Sequence, residues 1–259
     1  MTSTSLLGPD EPPACQSHRL QGRSAYFLVC DHGGNRLPRA LGNLGLPPAE
    51  LERHIAWDIG AAGLAHGLAE MLDAALIEQT YSRLVIDCNR PPGVPSSIPE
   101  LSEATSIPGN QRLSAVDAEA RRVAIFVPYH ERIGAELDSR SVAGRPTILV
   151  SVHSFTPVYA GVARPWHAGL LYNRDARLGR ILFDLLQAEG DLVVGDNQPY
   201  SVDDETDYTI PVHGEQRGLP HVALEIRQDL LADAAGQAAW AARLARLLRQ
   251  AEMMLTGSR

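Results

Sequence analysis

Short, wholly apolar runs alternate along the chain with longer segments in which apolar residues recur every three or four positions. Runs rich in Val, Ile and Leu are typical of strands that are buried on both faces of a sheet. The predicted strands are residues 25–30, 74–79, 84–88, 148–152, 168–172, 192–194 and 221–226. The predicted helices are one that begins at Pro47-Pro48 and carries its apolar stripe to Met71, and residues 117–137, 175–188 and 230–255. Pro128 is expected to kink or break the second helix.

This order of elements predicts a single α/β domain with a mostly parallel or mixed central sheet and helices on both faces. The chain has 259 residues, 44% of them hydrophobic, which is enough for one such core. Residues 1–23 have no periodicity and contain several prolines, so they are expected to form a mobile leader before a domain at residues 24–259. The polar segments 91–108 and 195–218 are expected to be long loops.

Composition narrows the possible functions. The chain carries 23 basic and 31 acidic residues, and this net charge of −8 disfavours a nucleic-acid partner. Every basic residue is Arg, which excludes a P-loop lysine, a Schiff-base lysine and a Ser-Lys dyad. The three cysteines form no CxxC pair, and no signal peptide or membrane-spanning run is apparent. We therefore expect a cytoplasmic protein without a membrane partner.

Polar residues follow or interrupt several predicted strands, where a parallel sheet gathers its chemistry. The clusters are His32/Asn35, Asn89/Arg90, His153/Ser154 and Glu225/Arg227. Two histidines and an oxygen ligand are a donor set that catalytic zinc accepts, with one position left for water. Glu225 interrupts an apolar strand, and burial of a carboxylate is costly unless it is paired or near a metal. Each of these residues also has a plain structural interpretation, as a hydrogen-bonded histidine, a turn residue or a salt bridge.

The chain resembles the N-formylglutamate amidohydrolase family and, more distantly, the group of zinc carboxypeptidases and succinylglutamate desuccinylases. The resemblance rests on short motifs that occur in order along most of residues 25–230. The motifs are residues 30–38, 54–60, 82–91, 128–130, 152–155, 196–200 and 224–229. The fold that this resemblance implies is zinc-carboxypeptidase-like, also described as phosphorylase/hydrolase-like.

The resemblance implies a site with one Zn²⁺ ion, or another divalent metal. His32 and His153 would be two of its ligands. Asn35 occupies the position where the carboxypeptidase pattern has a glutamate, and a neutral amide is a poorer zinc ligand than a carboxylate. The third ligand is therefore either Asn35 or Asp58.

The same resemblance assigns roles to residues around the metal. Glu225 would be the general base, and Arg83 or Arg174 would stabilise the oxyanion. The substrate carboxylate would be held by Asn89 and Arg90. The remaining candidates for substrate binding are Ser154, Asn197, Tyr200 and His213.

The implied activity is hydrolysis of the amide of an N-formyl or other N-acyl amino acid. With N-formyl-L-glutamate the products would be formate and glutamate. Two alternatives remain open: a related carboxypeptidase or deacylase with another substrate, and an inactive binding protein on the same fold. Asn35 favours the inactive protein, whereas Glu225 and the two histidines favour an enzyme.

Overall fold

A seven-stranded mixed sheet forms the centre of the computed structural model, which describes residues 6–257. The strands are β1 (Cys15–His18), β2 (Tyr26–Cys30), β3 (Ala75–Gln79), β4 (Leu101–Ser102), β5 (Thr105–Ser106), β6 (Ile148–Phe155), β7 (Val158–Tyr159), β8 (Val162–Ala163), β9 (Ala168–Leu171), β10 (Val194–Asp196) and β11 (His221–Arg227). The order in the sheet is β1-β3-β2-β6-β11-β9-β10. The four central strands β3, β2, β6 and β11 are parallel, whereas β1 and β9 run antiparallel to their neighbours β3 and β11.

Helices cover both faces of the sheet and enclose two apolar layers. They are α1 (Pro48–Leu51), α2 (Ala61–Leu72), α3 (Ala115–Arg121), α4 (Val127–Val142), α5 (Arg177–Gln187) and α6 (Ala234–Gly257). Helices α2, α5 and α6 pack on one face, and α4 packs on the other. In β2, Tyr26 and Leu28 belong to the first layer and Phe27 and Val29 to the second, which explains why this strand is apolar throughout. The predicted single α/β domain with a mixed sheet is confirmed.

Residues 84–88 were predicted to be a strand, and this prediction is wrong. The segment is a buried series of turns in the second apolar layer. Side chains satisfy its backbone instead of a neighbouring strand: Asn110 donates to the carbonyl of Leu84, and Arg121 donates to that of Val85. A short apolar run predicts burial, but it does not by itself distinguish a strand from a packed loop.

The predicted helix from Pro48 to Met71 is interrupted. Helix α1 ends at Leu51, and α2 begins at Ala61 after a series of turns. Gly60 lies between them in the left-handed region, with φ 80°. His54 and Asp58 are therefore in the turns and do not share a helical face.

Pro128 is accommodated without a break in the helix. Residues Arg122–Phe126 form a π-helical stretch between α3 and α4, and the proline is the second residue of α4. Proline has no N–H, and its ring clashes with the carbonyl four residues earlier, so a locally widened turn relieves both problems.

The predicted leader is partly ordered. Cys15–His18 form the edge strand β1, which pairs antiparallel with β3, while residues 1–5 lie outside the described part of the chain. The prediction of a mobile segment is thus wrong for β1. In the same way, the predicted loop 91–108 contains the β4–β5 hairpin. Short polar strands at a sheet edge have little apolar pattern and are difficult to predict.

Candidate active site

A cavity of about 630 Å³ opens beside the carboxyl ends of the central parallel strands. From β2 the chain leads to β3 on one side, whereas β6 lies on the other side of β2, next to β11. Such a reversal leaves a crevice in which α/β proteins bind ligands. Ten of the predicted site residues line the cavity: His32, Asp58, Arg83, Asn89, Arg90, His153, Ser154, Asn197, Tyr200 and Glu225.

Two histidines and one aspartate meet at the base of the cavity. His153 lies within β6, not after it as predicted, and its Nδ1 is 2.9 Å from Asp58 Oδ2. His32 follows β2, and its Nδ1 is 3.4 Å from the same oxygen. All three side chains are buried, and one potential ligand atom from each lies within 4.8 Å of the others.

This cluster suits a metal ion. His32 Nδ1 is buried and has no hydrogen-bond partner among the described residues, although it faces Asp58. A buried polar atom of this kind is destabilising unless it binds something. Two imidazole nitrogens and a carboxylate oxygen form a donor set that zinc accepts.

Each histidine is held from behind by a second carboxylate. His32 Nε2 lies 2.7 Å from Asp87 Oδ1, and His153 Nε2 lies 2.8 Å from Ser151 Oγ and 3.2 Å from Asp31 Oδ2. When Nε2 donates to a carboxylate, the Nδ1 lone pair is left facing Asp58. This arrangement of a carboxylate behind a ligand histidine is common in metal sites.

Asp31 is fixed by three hydroxyl donors. Tyr129 and Thr209 donate to Oδ1 at 2.8 and 2.7 Å, and Ser151 donates to Oδ2 at 2.9 Å. Burial alone would raise the pKa of Asp31, but its contacts with His153 outweigh burial and hold the pKa well below the usual range. Asp31 therefore remains a carboxylate that orients the His153 ring.

Arg83 joins the two aspartates that contact His32. It donates to Asp87 Oδ2 from Nη2 at 2.6 Å and to Asp58 Oδ1 from Nη1 at 3.3 Å. Burial alone would raise the pKa of Asp58, yet the neighbouring His32 and His153 lower it strongly, so Asp58 is ionised. Arg83 lines the cavity, but its guanidinium is already engaged with carboxylates.

Asn89 and Arg90 hold the loop around residues 206–209, which borders the cavity. Asn89 Oδ1 accepts hydrogen bonds from the backbone N–H groups of Tyr208 and Thr209. Arg90 donates to the carbonyl of Thr206 at 2.5 Å and lies 3.5 Å from Asp207 Oδ1. Both residues line the cavity, so they can shape it as well as contact a ligand.

Glu225 projects from β11, and its Cα pairs in register with that of His153 in β6. The residue is 93% buried, and Oε2 has no hydrogen-bond partner among residues 6–257. Burial raises the pKa of Glu225 to about 7. The carboxyl group can thus exchange a proton near neutral pH.

Three predicted site residues do not line the cavity. Asn35 lies outside it, so Asp58 and not Asn35 is the oxygen donor beside the two histidines. Arg174 is an exposed residue that pairs with Asp204 and Glu215. His213 is buried against His130, 3.0 Å away.

Asp31 and Asp87 were not predicted to be functional residues. Both lie inside motifs that it singled out, Asp31 directly before His32 and Asp87 two residues before Asn89. Residues at strand ends that face the cavity have a visible sequence signal, whereas the carboxylates behind them do not. Proximity to a candidate ligand within a motif was the signal that identifies them.

The fold and the cavity define a mixed α/β protein whose polar centre is a buried His–Asp–His cluster next to a buried glutamate. The chain belongs to the N-formylglutamate amidohydrolase family, whose model matches residues 24–232. This confirms the resemblance seen in the motifs. Membership supports an amidohydrolase that acts on a small-molecule substrate.

Two solved structures are similar over almost the whole chain. The gene product Atu2144 from Agrobacterium tumefaciens is 39% identical with a TM-score of 0.93, over 97% of this chain and 99% of that one. The N-formylglutamate amidohydrolase from Ralstonia eutropha JMP134 is 17% identical with a TM-score of 0.69, over 95% and 100%. At that identity the second likeness shows a shared fold. No match was found among curated proteins.

No helix within residues 6–257 is long and apolar enough to cross a membrane.

Proposed function

We propose that the protein is a zinc-dependent hydrolase that cleaves the amide of an N-formyl amino acid, such as N-formyl-L-glutamate. The observation that carries this proposal is the buried His32–Asp58–His153 cluster in one cavity with the unpaired carboxyl group of Glu225. The family of the chain supports the same reaction class.

Zinc held by His32, Asp58 and His153 would polarise the amide carbonyl and lower the pKa of a water molecule. Behind these side chains, Asp87 and Asp31 fix the orientation of the two histidines through Nε2. Arg83 donates hydrogen bonds to Asp58 and Asp87 and so keeps both carboxylates in place.

In this proposal, Glu225 moves the proton that amide hydrolysis requires. Its carboxylate takes a proton from water as the oxygen–carbon bond forms. It then gives that proton to the leaving amine nitrogen as the carbon–nitrogen bond breaks. With a pKa of about 7, the same group can act in both directions. The products are formate and the free amino acid.

The α-carboxylate of the substrate has two candidate partners in the cavity. Arg90 and Asn89 lie on the loop side, and an Arg guanidinium binds carboxylates in a two-pronged geometry. Ser154, Asn197 and Tyr200 line the same space and would contact the remainder of the substrate. The cavity volume suits an amino-acid derivative.

A related deacylase with a less anionic substrate is a second candidate, and the charge of the cavity favours it. Five carboxyl groups line the cavity, on Asp58, Asp87, Glu103, Asp207 and Glu225, against two guanidinium groups. Both guanidinium groups already pair with aspartates, Arg83 with Asp87 and Arg90 with Asp207. A second substrate carboxylate would therefore have few free cations to meet.

The test is formate release from purified protein whose metal content is measured on the same sample. N-formyl-L-glutamate is compared with N-formyl-L-glutamine and N-formyl-L-leucine, before chelation, after chelation and after zinc is restored. Zinc-dependent release that is fastest with the glutamate substrate would support the first proposal. Faster release from the neutral substrates would support the second candidate. No release from any of the three, with zinc bound, would contradict both.

The matched variants are Asp58→Asn and Asp204→Asn. Asp58 belongs to the cluster, whereas Asp204 forms an exposed ion pair outside the cavity. The first substitution is expected to remove the zinc held by this cluster together with the activity, and the second to leave both in place.

A further inference from the structure

A second group of metal-ligand residues lies at the edge of the sheet, away from the cavity. It consists of His18 at the end of β1, His66 in α2 and Glu78 in β3. None of the three lines the cavity, and none is used by the proposed hydrolysis. We call it the edge cluster.

The two imidazole rings converge on one carboxylate. His18 Nε2 is 3.0 Å from Glu78 Oε1, and His66 Nε2 is 3.0 Å from Glu78 Oε2. The rings stand edge to face with centroids 4.5 Å apart. One potential ligand atom from each residue lies within 4.8 Å of the others. In a tetrahedral zinc site the ligand atoms lie about 3.3 Å apart, so only a small adjustment would admit the ion.

The fold places these side chains on one face of the sheet. Glu78 follows Leu76 on the face that α2 covers, since Leu76 packs in the same apolar layer as this helix. In the antiparallel β1–β3 pair, His18 lies opposite Leu76 and therefore projects to the same side. His66 reaches the carboxylate from the helix above.

The degree of exposure suits exchange of an ion with solvent. The side chains of His18 and His66 are 30% and 45% exposed, whereas that of Glu78 is only 11% exposed. Water therefore has access from the histidine side, and the carboxylate stands at the bottom of a shallow site. A partly buried carboxylate beside two imidazole nitrogens is a ligand set that attracts a divalent cation.

We propose that the edge cluster is a second metal site, which binds a divalent transition-metal ion such as Zn²⁺ through His18, His66 and Glu78. Two imidazoles and one carboxylate select zinc-like metals over Mg²⁺ and Ca²⁺, which prefer oxygen ligands. The ion would join β1, β3 and α2, and so fasten the edge strand to the rest of the domain. The site is independent of the His32–Asp58–His153 cluster, which we call the central cluster, and does not rest on the proposed hydrolase activity.

The first test counts zinc ions. Wild-type protein is stripped of metal, dialysed against zinc at neutral pH and compared with the His18→Gln/His66→Gln double variant and with Asp58→Asn. We expect the double variant to bind one equivalent fewer than wild type and to retain hydrolase activity. Asp58→Asn is expected to retain the equivalent that the double variant loses. Equal zinc content in wild type and the double variant would overturn the proposal.

This experiment tests the two proposed metal sites independently of each other. If the central cluster bound no zinc, wild type would hold a single equivalent that depends on His18 and His66 and not on Asp58. The His167→Gln variant is the control for loss of a histidine that belongs to neither cluster. It is expected to bind as much zinc as wild type.

A second test uses the wild-type chain only, in case the double variant does not fold. Diethylpyrocarbonate acylates accessible imidazoles, and mass spectrometry of peptides reports each histidine separately. Zinc is expected to protect His18 and His66 at least several-fold and to leave His167 unaffected. The same labelling of His18 and His66 with zinc and with Mg²⁺ would contradict a transition-metal site.

Zinc should also stabilise the fold through this site. At about a hundred-fold excess over its Kd, an ion bound to the native state is expected to raise Tm by about 5–10 °C. This rise should remain in Asp58→Asn and disappear when His18→Gln and His66→Gln are added to Asp58→Asn. A rise of equal size in Asp58→Asn and in this triple variant would place the stabilising ion elsewhere.

Discussion

Glu225 shows how strongly one residue depends on its surroundings. It stands in β11 beside apolar neighbours, and one of its oxygens has no partner among the described residues. Gly169 lies opposite on β9, and a side chain there would meet the backbone of Gln198 and the Cβ of Glu225. The absence of a side chain at Gly169 thus lets the backbone of Gln198 approach β9 closely beside Glu225.

Replacing Glu225 with Gln should remove proton transfer and preserve shape. We expect kcat to fall by about 10²–10⁴-fold, because general acid–base catalysis contributes about that much, while zinc content stays the same. The measurement is steady-state kinetics with metal analysis of the same samples. Glu103→Gln is the control, since Glu103 lines the cavity but pairs with Arg53. A similar loss of kcat in both variants would show that kcat depends on the negative charge of the cavity and not on proton transfer by Glu225.

Asp87 should matter through His32 and not through contact with the substrate. In Asp87→Asn the carboxylate that holds His32 Nε2 at 2.7 Å is lost. We expect zinc affinity to fall about 10–100-fold, as for other residues that orient metal ligands. Competition with a zinc chelator measures the affinity, and Asp204→Asn is the matched exposed control. Unchanged affinity together with reduced kcat would instead assign Asp87 a direct role in the reaction.

The sequence was informative about residues that face the cavity and less so about those behind them. Glu225 and His153 were found because each interrupts or extends an apolar strand, which is a visible signal. Asp58 was found only as an alternative, since no local pattern shows that the turns after α1 return it to His153. Asn35 was predicted to be a ligand because of its position in the motif. In the structure Asp58 lies beside His32, although the two residues are 26 positions apart in the sequence.

At the scale of elements, Gly60 sets the direction of the chain between Asp58 and α2. Its φ of 80° lies in the region that glycine tolerates best. A Cβ at this position would lie 2.5 Å from the carbonyl oxygen of Leu231. The turn thus brings the end of the Asp58 segment against the chain that follows β11.

Gly60→Ala should therefore destabilise the fold for two reasons, strain and overlap. We expect the free energy of unfolding to fall by about 2–4 kcal/mol, compared with about 1 kcal/mol for Gly144→Ala. Gly144 has a φ of 64°, but a Cβ there would have no atom within 4 Å. Urea denaturation of the two variants measures the difference. Equal losses would mean that strain alone acts at Gly60.

Helices and strands were predicted well where the local hydrophobic pattern determines the secondary structure. They were predicted less well where residues distant in sequence determine it. β2, β3 and β11 were found within a residue or two. The segment 84–88 was not, because Asn110 and Arg121 satisfy its carbonyls from 26 and 36 residues away. β1 was not predicted, because its own sequence is polar and it becomes a strand through pairing with the distant β3.

The whole molecule combines a predictable class with an order of strands that the sequence did not specify. Alternating strands and helices indicated an α/β domain, but nothing local shows that β6 lies between β2 and β11. That order brings His32, His153 and Glu225 to one crevice. The association of these three residues could be predicted only from the motifs, because the family that the motifs resemble implies one site for them.

Two buried histidines couple the stability of the whole molecule to pH. His130 donates from Nε2 to the carbonyl of Cys88, 2.8 Å away, and its Nδ1 faces His213 Nε2 at 3.0 Å. Burial lowers the pKa of His130 to about 4 and that of His213 to about 3. Both are therefore neutral in the native state at pH values where the unfolded chain, with ordinary values near 6.5, is already protonated.

Because the unfolded state binds more protons in this range, the contribution of the pair is complete above about pH 6.5. It is lost as the pH falls toward 4 and 3. At about pH 5 each histidine should reduce the free energy of unfolding by about 2 kcal/mol. His213→Gln keeps a donor for His130 but does not titrate, so its stability should fall less steeply between about pH 6.5 and about pH 4. Urea unfolding across this range measures both slopes, with His167→Gln as the control. Parallel slopes for wild type and His213→Gln would show that other groups cause the acid sensitivity.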